Sequence, residues 1–252
     1  MNLTLIGLII ITIIILFSGF NRQGLPTCNR FIFNTYAYLL FMILFLYIAH
    51  LQIIQNKSFT KTLLNQPGYS FIAFIINIAL LIALVLTRAN KTITKHILLL
   101  IWLVSFATLT FPMTLRTQSL SPESLTRIVI IFFSLIFAAT GITILFPKLI
   151  TNKLGFPLLL GLTGLILAQI LLILFTPKSS KISQKTAALT RTAQTSITYF
   201  AIILFTIFIS YDTHLAIDAS KHCIEGQADY IQYSLGLFLD VVNLFINLEN
   251  TR

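Results

Sequence analysis

Long uninterrupted apolar segments constrain the fold of this chain more than any other feature. Most of them approach the roughly 20 residues that an α-helix needs to cross a bilayer. None alternates apolar with polar residues, which excludes a transmembrane β-barrel. Because only helices and closed barrels satisfy every backbone polar group in lipid, the segments predict an all-α polytopic membrane protein with seven or eight transmembrane helices. The segments are Leu3–Phe20, Tyr36–Ile54, Phe71–Thr87, Ile97–Leu115, Ile128–Pro147, Phe156–Thr176, Thr198–Tyr211 and Tyr230–Leu248.

The composition supports a membrane location. Apolar residues make up 57% of the chain and charged residues only 10%, whereas soluble domains contain about one-quarter charged residues. The formal net charge is +10, but Lys and Arg are spread over all the connectors and do not cluster as a nucleic-acid-binding face does. We therefore expect the basic residues to anchor helix ends at the lipid bilayer surface, with no nucleic-acid partner. Lys and Arg are nearly equal in number on the two sides, so they do not define the membrane orientation.

The first apolar segment is predicted to be a retained helix. It has no basic residues before its apolar core and no cleavage site of the A-x-A type, so it does not resemble a signal peptide. Residues 1–20 carry no charged side chain and few polar groups, and they offer nothing to an ion pathway. We expect this additional N-terminal transmembrane helix to pack on the periphery of the bundle or against another membrane subunit.

The connectors contain two further features. Cys28 and Cys223 lie far apart in the sequence, and two isolated cysteines establish neither a disulfide nor a redox compartment. Pro177–Thr195 is the longest polar connector and is rich in Ser, Thr and Lys. Because it buries too little apolar surface to offset its ordering entropy, we predict that it is the most mobile connector.

The acidic residues are concentrated near the C-terminal end. Of seven Asp and Glu residues, only Glu123 precedes residue 212. Asp212 ends one strongly apolar segment, and Asp240 lies within the next. An ionised carboxylate in hydrocarbon costs roughly 2.5–3.5 kcal/mol on insertion scales, so each aspartate needs a partner, a proton or water. The two can approach each other only if the connector packs back or the last helix is interrupted.

The last helix has a polar face. Tyr233, Gly236, Asp240, Asn243 and Asn247 recur at helical spacing. Such a face cannot point at lipid, so we expect the last helix to lie at the centre of the bundle. Two interpretations stay open. The polar groups can form interhelical hydrogen bonds, each worth about 0.6–2 kcal/mol in a membrane, or the two aspartates can share a proton or bind a hard cation such as Ca²⁺.

Two sequence stretches carry a family resemblance. YDTHLAIDAS (211–220) and DYIQYSLGLFLDVVNLFINL (229–248) resemble the signature end of the transmembrane Bax inhibitor motif family, which includes the Bax inhibitor and lifeguard proteins. The matching residues are Tyr211, Asp212, Thr213, Leu237, Leu239, Asp240, Asn243, Leu244 and Phe245. Upstream, LVSFATLTFP (103–112) is more weakly similar to the third-helix segment of the family.

The resemblance implies a seven-helix bundle over residues 31–248 with a central last helix, preceded here by the extra helix. It also implies a pH-sensitive Ca²⁺ leak channel or Ca²⁺/H⁺ exchanger in which Asp212 and Asp240 form the pH-sensing pair and contact the transported ion. An arginine of the second helix, Arg88 here, is the implied latch for Asp212. Some family members have an acid where this chain has Asn77. We expect Asn77, Asn243 and Asn247 to form a supporting polar face, and we expect no cofactor besides the transported ion.

A second class of function stays open. The chain is rich in Ile, Leu, Phe, Thr and Asn, a composition typical of organelle-encoded or viral membrane proteins, and it can be a structural accessory subunit of a larger membrane complex, such as an organellar respiratory assembly. The sequence has no nucleophile elbow and no phosphate-binding glycine loop, so we predict that it is not an enzyme. An endomembrane (ER or Golgi) location and the mitochondrial inner membrane are both compatible with these sequence features.

Overall fold

The computed structural model describes residues 3–65, 67–118, 120–175 and 184–251. Nine α-helices occupy most of this described part, and a short 3₁₀ turn, Asn152–Leu154, precedes the seventh helix. The α-helices are α1 (Leu3–Gly19), α2 (Phe31–Gln55), α3 (Lys57–Asn65), α4 (Pro67–Leu86), α5 (Thr92–Gln118), α6 (Pro122–Leu145), α7 (Gly155–Phe175), α8 (Gln184–Lys221) and α9 (Tyr230–Glu249).

The helices have the lengths and surfaces of membrane spans. Within the described residues, α2 and α5 to α9 supply six candidate spans by length and composition, and α1 and α4 contain shorter apolar helices. Large apolar side chains such as Phe71, Ile82 and Leu174 are exposed, as expected for residues that face lipid. The predicted all-α polytopic membrane fold is confirmed. Helix α9 is the most enclosed span, with 56% of it buried against 11–39% for the other five.

Residues Met1–Leu120 and Ala216–Phe238 form one compact unit. In this unit α1 packs along α2, α4 packs along α5, and α2 also contacts α5. A pair of polar groups joins the first two helices: the Ser18 hydroxyl donates to Asn34 Oδ1, and Asn34 Nδ2 donates to the Ser18 carbonyl at 3.2 Å. At the α9 side, the Phe238 ring packs edge-on against Trp102 and Phe106.

Helix α3 is a feature that the apolar segments did not predict. Its apolar residues Phe59 and Leu63 join a hydrophobic cluster with side chains of α2 and α5. Lys57 and Lys61, also four residues apart, are exposed on the helix. Because the helix is short and only one face is apolar, a search for long apolar runs does not detect it.

Residues Ser121–Leu215 and Leu239–Arg252 form the second compact unit. Helix α6 starts with a side-chain cap, because Ser121 Oγ accepts the backbone N–H of Ser124 and Pro122 occupies the first turn. Two hydrogen bonds of 3.1 Å join α6 to α8: Thr143 Oγ1 donates to the Ser210 carbonyl, and Ser210 Oγ donates to the Ala139 carbonyl. These bonds fix the part of α8 that immediately precedes Asp212.

Helix α8 corrects two predictions. It begins at Gln184 and extends to Lys221, whereas the sequence predicted a connector over Pro177–Thr195 and a helix end near Asp212. Residues 184–195 are therefore helical, and residues 177–183 of the predicted connector lie outside the described part of the chain. The apolar run did not mark the true helix ends because Ala, Leu, Gln and Arg favour helix without being strongly apolar as a group.

Candidate functional site

Asp212 and Asp240 belong to the same compact unit, on α8 and α9. Helix α8 continues beyond Asp212 to Lys221, and α9 is unbroken from Tyr230 to Glu249. Each aspartate is thus placed well inside its helix, at a similar distance along the chain from connector 222–229. The approach of the two acids therefore requires no interruption of the last helix, which was one of the two routes compatible with the sequence.

Asp240 is the more enclosed of the two acids. Its side chain is 8% exposed, and along α9 it lies between the buried apolar residues Leu237 and Leu244. Within the described residues, its Oδ2 atom is buried and has no hydrogen-bond partner. A buried carboxylate oxygen without a partner is costly, so such groups are protonated, bind a cation or contact water. Asp212 is half-buried, and it follows the region of α8 that is bonded to α6.

The three asparagines of the predicted polar face have local partners. Asn243 Nδ2 donates to the Leu239 carbonyl, and Asn247 Nδ2 donates to the Asn243 carbonyl, both at 2.8 Å along α9. Asn77 Nδ2, on α4, donates to Ser105 Oγ on α5 at 3.5 Å. These amide N–H groups are bonded, whereas the side-chain carbonyl oxygens are still able to accept a bond or ligate a cation.

Arg88 lies outside the helix to which it was assigned. Helix α4 ends at Leu86, and Arg88 is an exposed residue of the turn that leads into α5. The Arg88 carbonyl accepts the N–H of Lys91 in this turn. The expectation that Arg88 belongs to this helix is therefore wrong, because the helix ends two residues before it. The role of Arg88 as a latch for Asp212 stays a prediction.

The sequence did not predict the ion pair that the buried Lys95 forms with the partly exposed Asp229. Lys95 Nζ lies 2.5 Å from Asp229 Oδ2 and also donates to the Thr87 carbonyl at 2.8 Å. The Lys95 side chain is 2% exposed. Asp229 caps the start of α9, because its Oδ1 accepts the backbone N–H of Gln232. An acid directly before an apolar helical run is a capping signal, and this signal could have marked Asp229 as structural.

The two cysteines are joined. Cys28 and Cys223 form a disulfide that links residues separated by 195 positions, with a Cα–Cα distance of 5.7 Å. The sequence left this pairing open because spacing alone does not decide it. Within the described residues, no three His, Cys, Asp or Glu side chains form a group that could hold a metal ion. The described acids therefore include one that caps a helix and pairs with a lysine, Asp229, and two that lie inside α8 and α9, Asp212 and Asp240.

A protein-family model described as Inhibitor of apoptosis-promoting Bax1 matches residues 28–250 of this chain. The match begins after α1 and includes every later helix, and with them Asp212 and Asp240. No protein with a curated description matches the chain.

Proposed function

Because this chain belongs to the Bax inhibitor family, we propose that it lets Ca²⁺ cross the membrane at a pH-sensitive site formed by Asp212 and Asp240. The observation that supports this proposal most strongly is the buried Asp240 Oδ2 atom, which has no partner in the described part of the chain. A carboxylate is costly to place inside a membrane span, and unpaired acids at such positions are typical of ion and proton pathways.

The second aspartate makes the site responsive to protons. Asp212 and Asp240 belong to the same compact unit, and two carboxylates that come close together cannot both ionise without repulsion. A shared proton or a divalent cation relieves this repulsion. Protons and Ca²⁺ therefore compete for the same oxygens, and the occupancy of the site by Ca²⁺ depends on pH.

The small number of carboxylate ligands favours a Ca²⁺ ion that passes through the site over one that is held there permanently. Ca²⁺ takes about six to eight oxygen ligands, and two carboxylates supply about four at most. The remaining ligands have to be water or other oxygens, such as the side-chain carbonyl of Asn243 one turn after Asp240 on α9. An ion that keeps part of its water shell is released more easily than one held in a complete protein cage.

Reconstitution tests the proposal. We would insert the purified chain into liposomes that contain a Ca²⁺-sensitive dye and compare Ca²⁺ entry at about pH 6 and pH 8, because a site made of two carboxylates exchanges protons with the solvent. The intact chain should give entry above that of empty liposomes, with different rates at the two pH values. Asp240→Asn should reduce entry to the empty-liposome level, because an amide neither titrates nor carries charge.

Two controls separate the site from general charge effects. Asp218→Asn removes an acid from the same helix, α8, and should leave both the entry rate and its pH dependence unchanged. Arg88→Ala should raise entry if Arg88 acts as a latch on Asp212, whereas Lys91→Ala, which alters an exposed residue of the same turn, should not. Folded protein that gives only background entry at both pH values would reject the channel proposal. The structural-subunit alternative would then be favoured.

A further inference from the structure

Two connectors of the first compact unit are joined by a disulfide and by two hydrogen bonds. The disulfide joins Cys28, in the connector 21–30, to Cys223, in the connector 222–229. Beside it, the Cys28 N–H donates to Glu225 Oε1 at 3.1 Å, and the Gly226 N–H donates to the Pro26 carbonyl at 2.9 Å. Gly226 has a φ of 80°, which favours glycine at this turn. We call residues 21–30 and 222–228 of these joined connectors, which exclude Asp229, the clasp.

The clasp covers the start of α9 and the Lys95–Asp229 ion pair. The Tyr230 hydroxyl, next to Asp229, donates to the Thr27 carbonyl and contacts the Gly19 carbonyl at 3.2 Å. From the α5 side, the Thr92 hydroxyl donates to the Gly24 carbonyl at 3.1 Å. Residues of the clasp therefore bond to both elements that contribute the ion pair.

A small polar cavity lies under the clasp. Its volume is about 10 Å³, and its lining includes Pro26 of the clasp, both members of the ion pair, Tyr38 and His96. Tyr38 and His96 are themselves hydrogen bonded at 2.5 Å. A cavity of this size holds about one water molecule. The Lys95 side chain is thus almost fully enclosed, whereas Asp229 is 18% exposed, and Pro26 is one of the residues beside the enclosed lysine.

We propose that Cys28–Cys223 is a reversible oxidation site, at which disulfide formation closes the clasp and reduction by a dithiol admits water to the enclosed Lys95 side chain. The exchange is balanced. A thiolate of the dithiol attacks one cysteine sulfur, and the other cysteine leaves as a thiolate that takes up a proton. The second thiol of the reagent then displaces the first cysteine, so that the dithiol becomes a disulfide and both cysteines become thiols.

The proposal also assigns a membrane orientation. Disulfides persist in oxidising compartments and are rare where thiols are kept reduced. The clasp therefore faces an oxidising compartment. Helix α2, which is long and apolar enough to cross a membrane, begins directly after the connector 21–30 and leads to α3, so Lys57 and Lys61 of α3 lie on the opposite side. The balance of Lys and Arg left this orientation open.

The first experiment determines the state of the two cysteines. Native membranes would be treated with a maleimide polymer that shifts the electrophoretic mobility of the chain once for each free thiol. The chain has only two cysteines, so we expect no shift without dithiothreitol and two additions with it. Cys28→Ser should give one addition without reductant. Two additions to the intact chain before reduction would overturn the proposal.

The orientation is tested in sealed vesicles of known sidedness. After reduction, a maleimide that cannot cross the membrane should label Cys28 and Cys223 only from the side that faces the oxidising compartment. Labelling from the opposite side alone would overturn the assignment of the clasp to that compartment.

The second experiment asks whether the disulfide controls water access. An amine-reactive ester would be applied to the oxidised and the reduced protein, and the acylated lysines quantified by mass spectrometry. Lys95, which is 2% exposed, should react at least about threefold more after reduction, because local opening sets the rate at which a buried group reacts. Lys91 is exposed in the adjacent turn and should react equally in both states.

Two results would overturn this role for the disulfide. Unchanged Lys95 labelling in the reduced protein would show a structural crosslink without control of access. A change in the fluorescence of Trp102, the single tryptophan and a fully buried residue, would show that reduction unfolds the unit and that the clasp does not open locally.

Discussion

Asp229, which is partly exposed, and Asp240, which is buried, are both acids of the last helical region, and their surroundings differ in a way that separates structural from functional carboxylates. Asp229 has a lysine at 2.5 Å and caps a helix with its second oxygen. Asp240 lies in the middle of the same helix, and one of its oxygens is buried with no partner in the described residues. The first acid is fully used by the fold. The second keeps its capacity for a proton or a cation.

The largest effect on stability is expected when one charge of the Lys95–Asp229 ion pair is removed. Asp229→Asn keeps a helix-capping side chain but leaves the buried Lys95 cation without its counter-charge. Removal of one partner of a buried ion pair costs roughly 3–5 kcal/mol, so we expect the free energy of unfolding to fall by about this amount. Thermal unfolding in detergent, followed by Trp102 fluorescence, would measure the loss.

A second variant identifies the cause. Lys95→Met combined with Asp229→Asn removes both charges and should recover most of the lost stability, since no unpaired charge then stays buried. If the single and the double variants were equally destabilised, the cost would arise from lost packing or capping, and the interpretation of the pair as an electrostatic unit would be wrong.

The disulfide should contribute the next largest effect. Replacing both Cys28 and Cys223 by Ser removes a crosslink across 195 residues, and loss of a native disulfide typically costs roughly 2–5 kcal/mol. Thermal unfolding of the intact protein in dithiothreitol should reproduce the shift seen for the double variant. Dithiothreitol should not shift the variant further, and a further shift would show that the reagent acts elsewhere in the chain.

The Asp→Asn substitution at Asp240 should have a small effect on stability and a large effect on Ca²⁺ entry. Asp240→Asn replaces a carboxyl group that lacks a partner, and polar contacts in membranes average about 0.6 kcal/mol. We therefore expect the stability to change by less than about 1 kcal/mol while Ca²⁺ entry is lost. Thermal unfolding and liposome entry, measured on the same preparation, test both halves. A loss of stability as large as that of Asp229→Asn would assign Asp240 to the fold instead.

The apolar segments predicted the membrane fold because burial in lipid requires long apolar helices, and the family resemblance in residues 211–248 is confirmed by the family match. Helix ends were predicted less well. Hydropathy marks where a chain is apolar, whereas a helix continues wherever its residues tolerate it, as α8 does through Asp212 to Lys221.

The polar contacts could be predicted only in part. Lys95 was interpreted as one anchor among many, since its partner lies more than a hundred residues away and one sequence does not show that proximity. Alternate crossing by the eight predicted apolar segments, however, would place the connectors 21–30, 87–91 and 222–229 on one side of the membrane. The shared side of these connectors, together with the capping position of Asp229, would limit the possible partners of Asp229 and of Cys28 to a few connectors.

The smallest predicted effect on stability concerns the hydrogen bonds between α6 and α8, just before Asp212. Thr143→Val removes the hydroxyl that donates to the Ser210 carbonyl, while Ser210 Oγ keeps its own bond to the Ala139 carbonyl. Thr143 is fully buried, yet hydrogen bonds between membrane helices contribute only about 0.6 kcal/mol on average, so a loss of this order is expected. Ca²⁺ entry should be unchanged, because the remaining bond still fixes α6 against α8. The proposed comparison is that a few strong contacts hold the region of Asp229, whereas weaker polar contacts hold the part of α8 that carries Asp212. A loss of stability as large as that of Asp229→Asn, measured by thermal unfolding, would contradict this comparison.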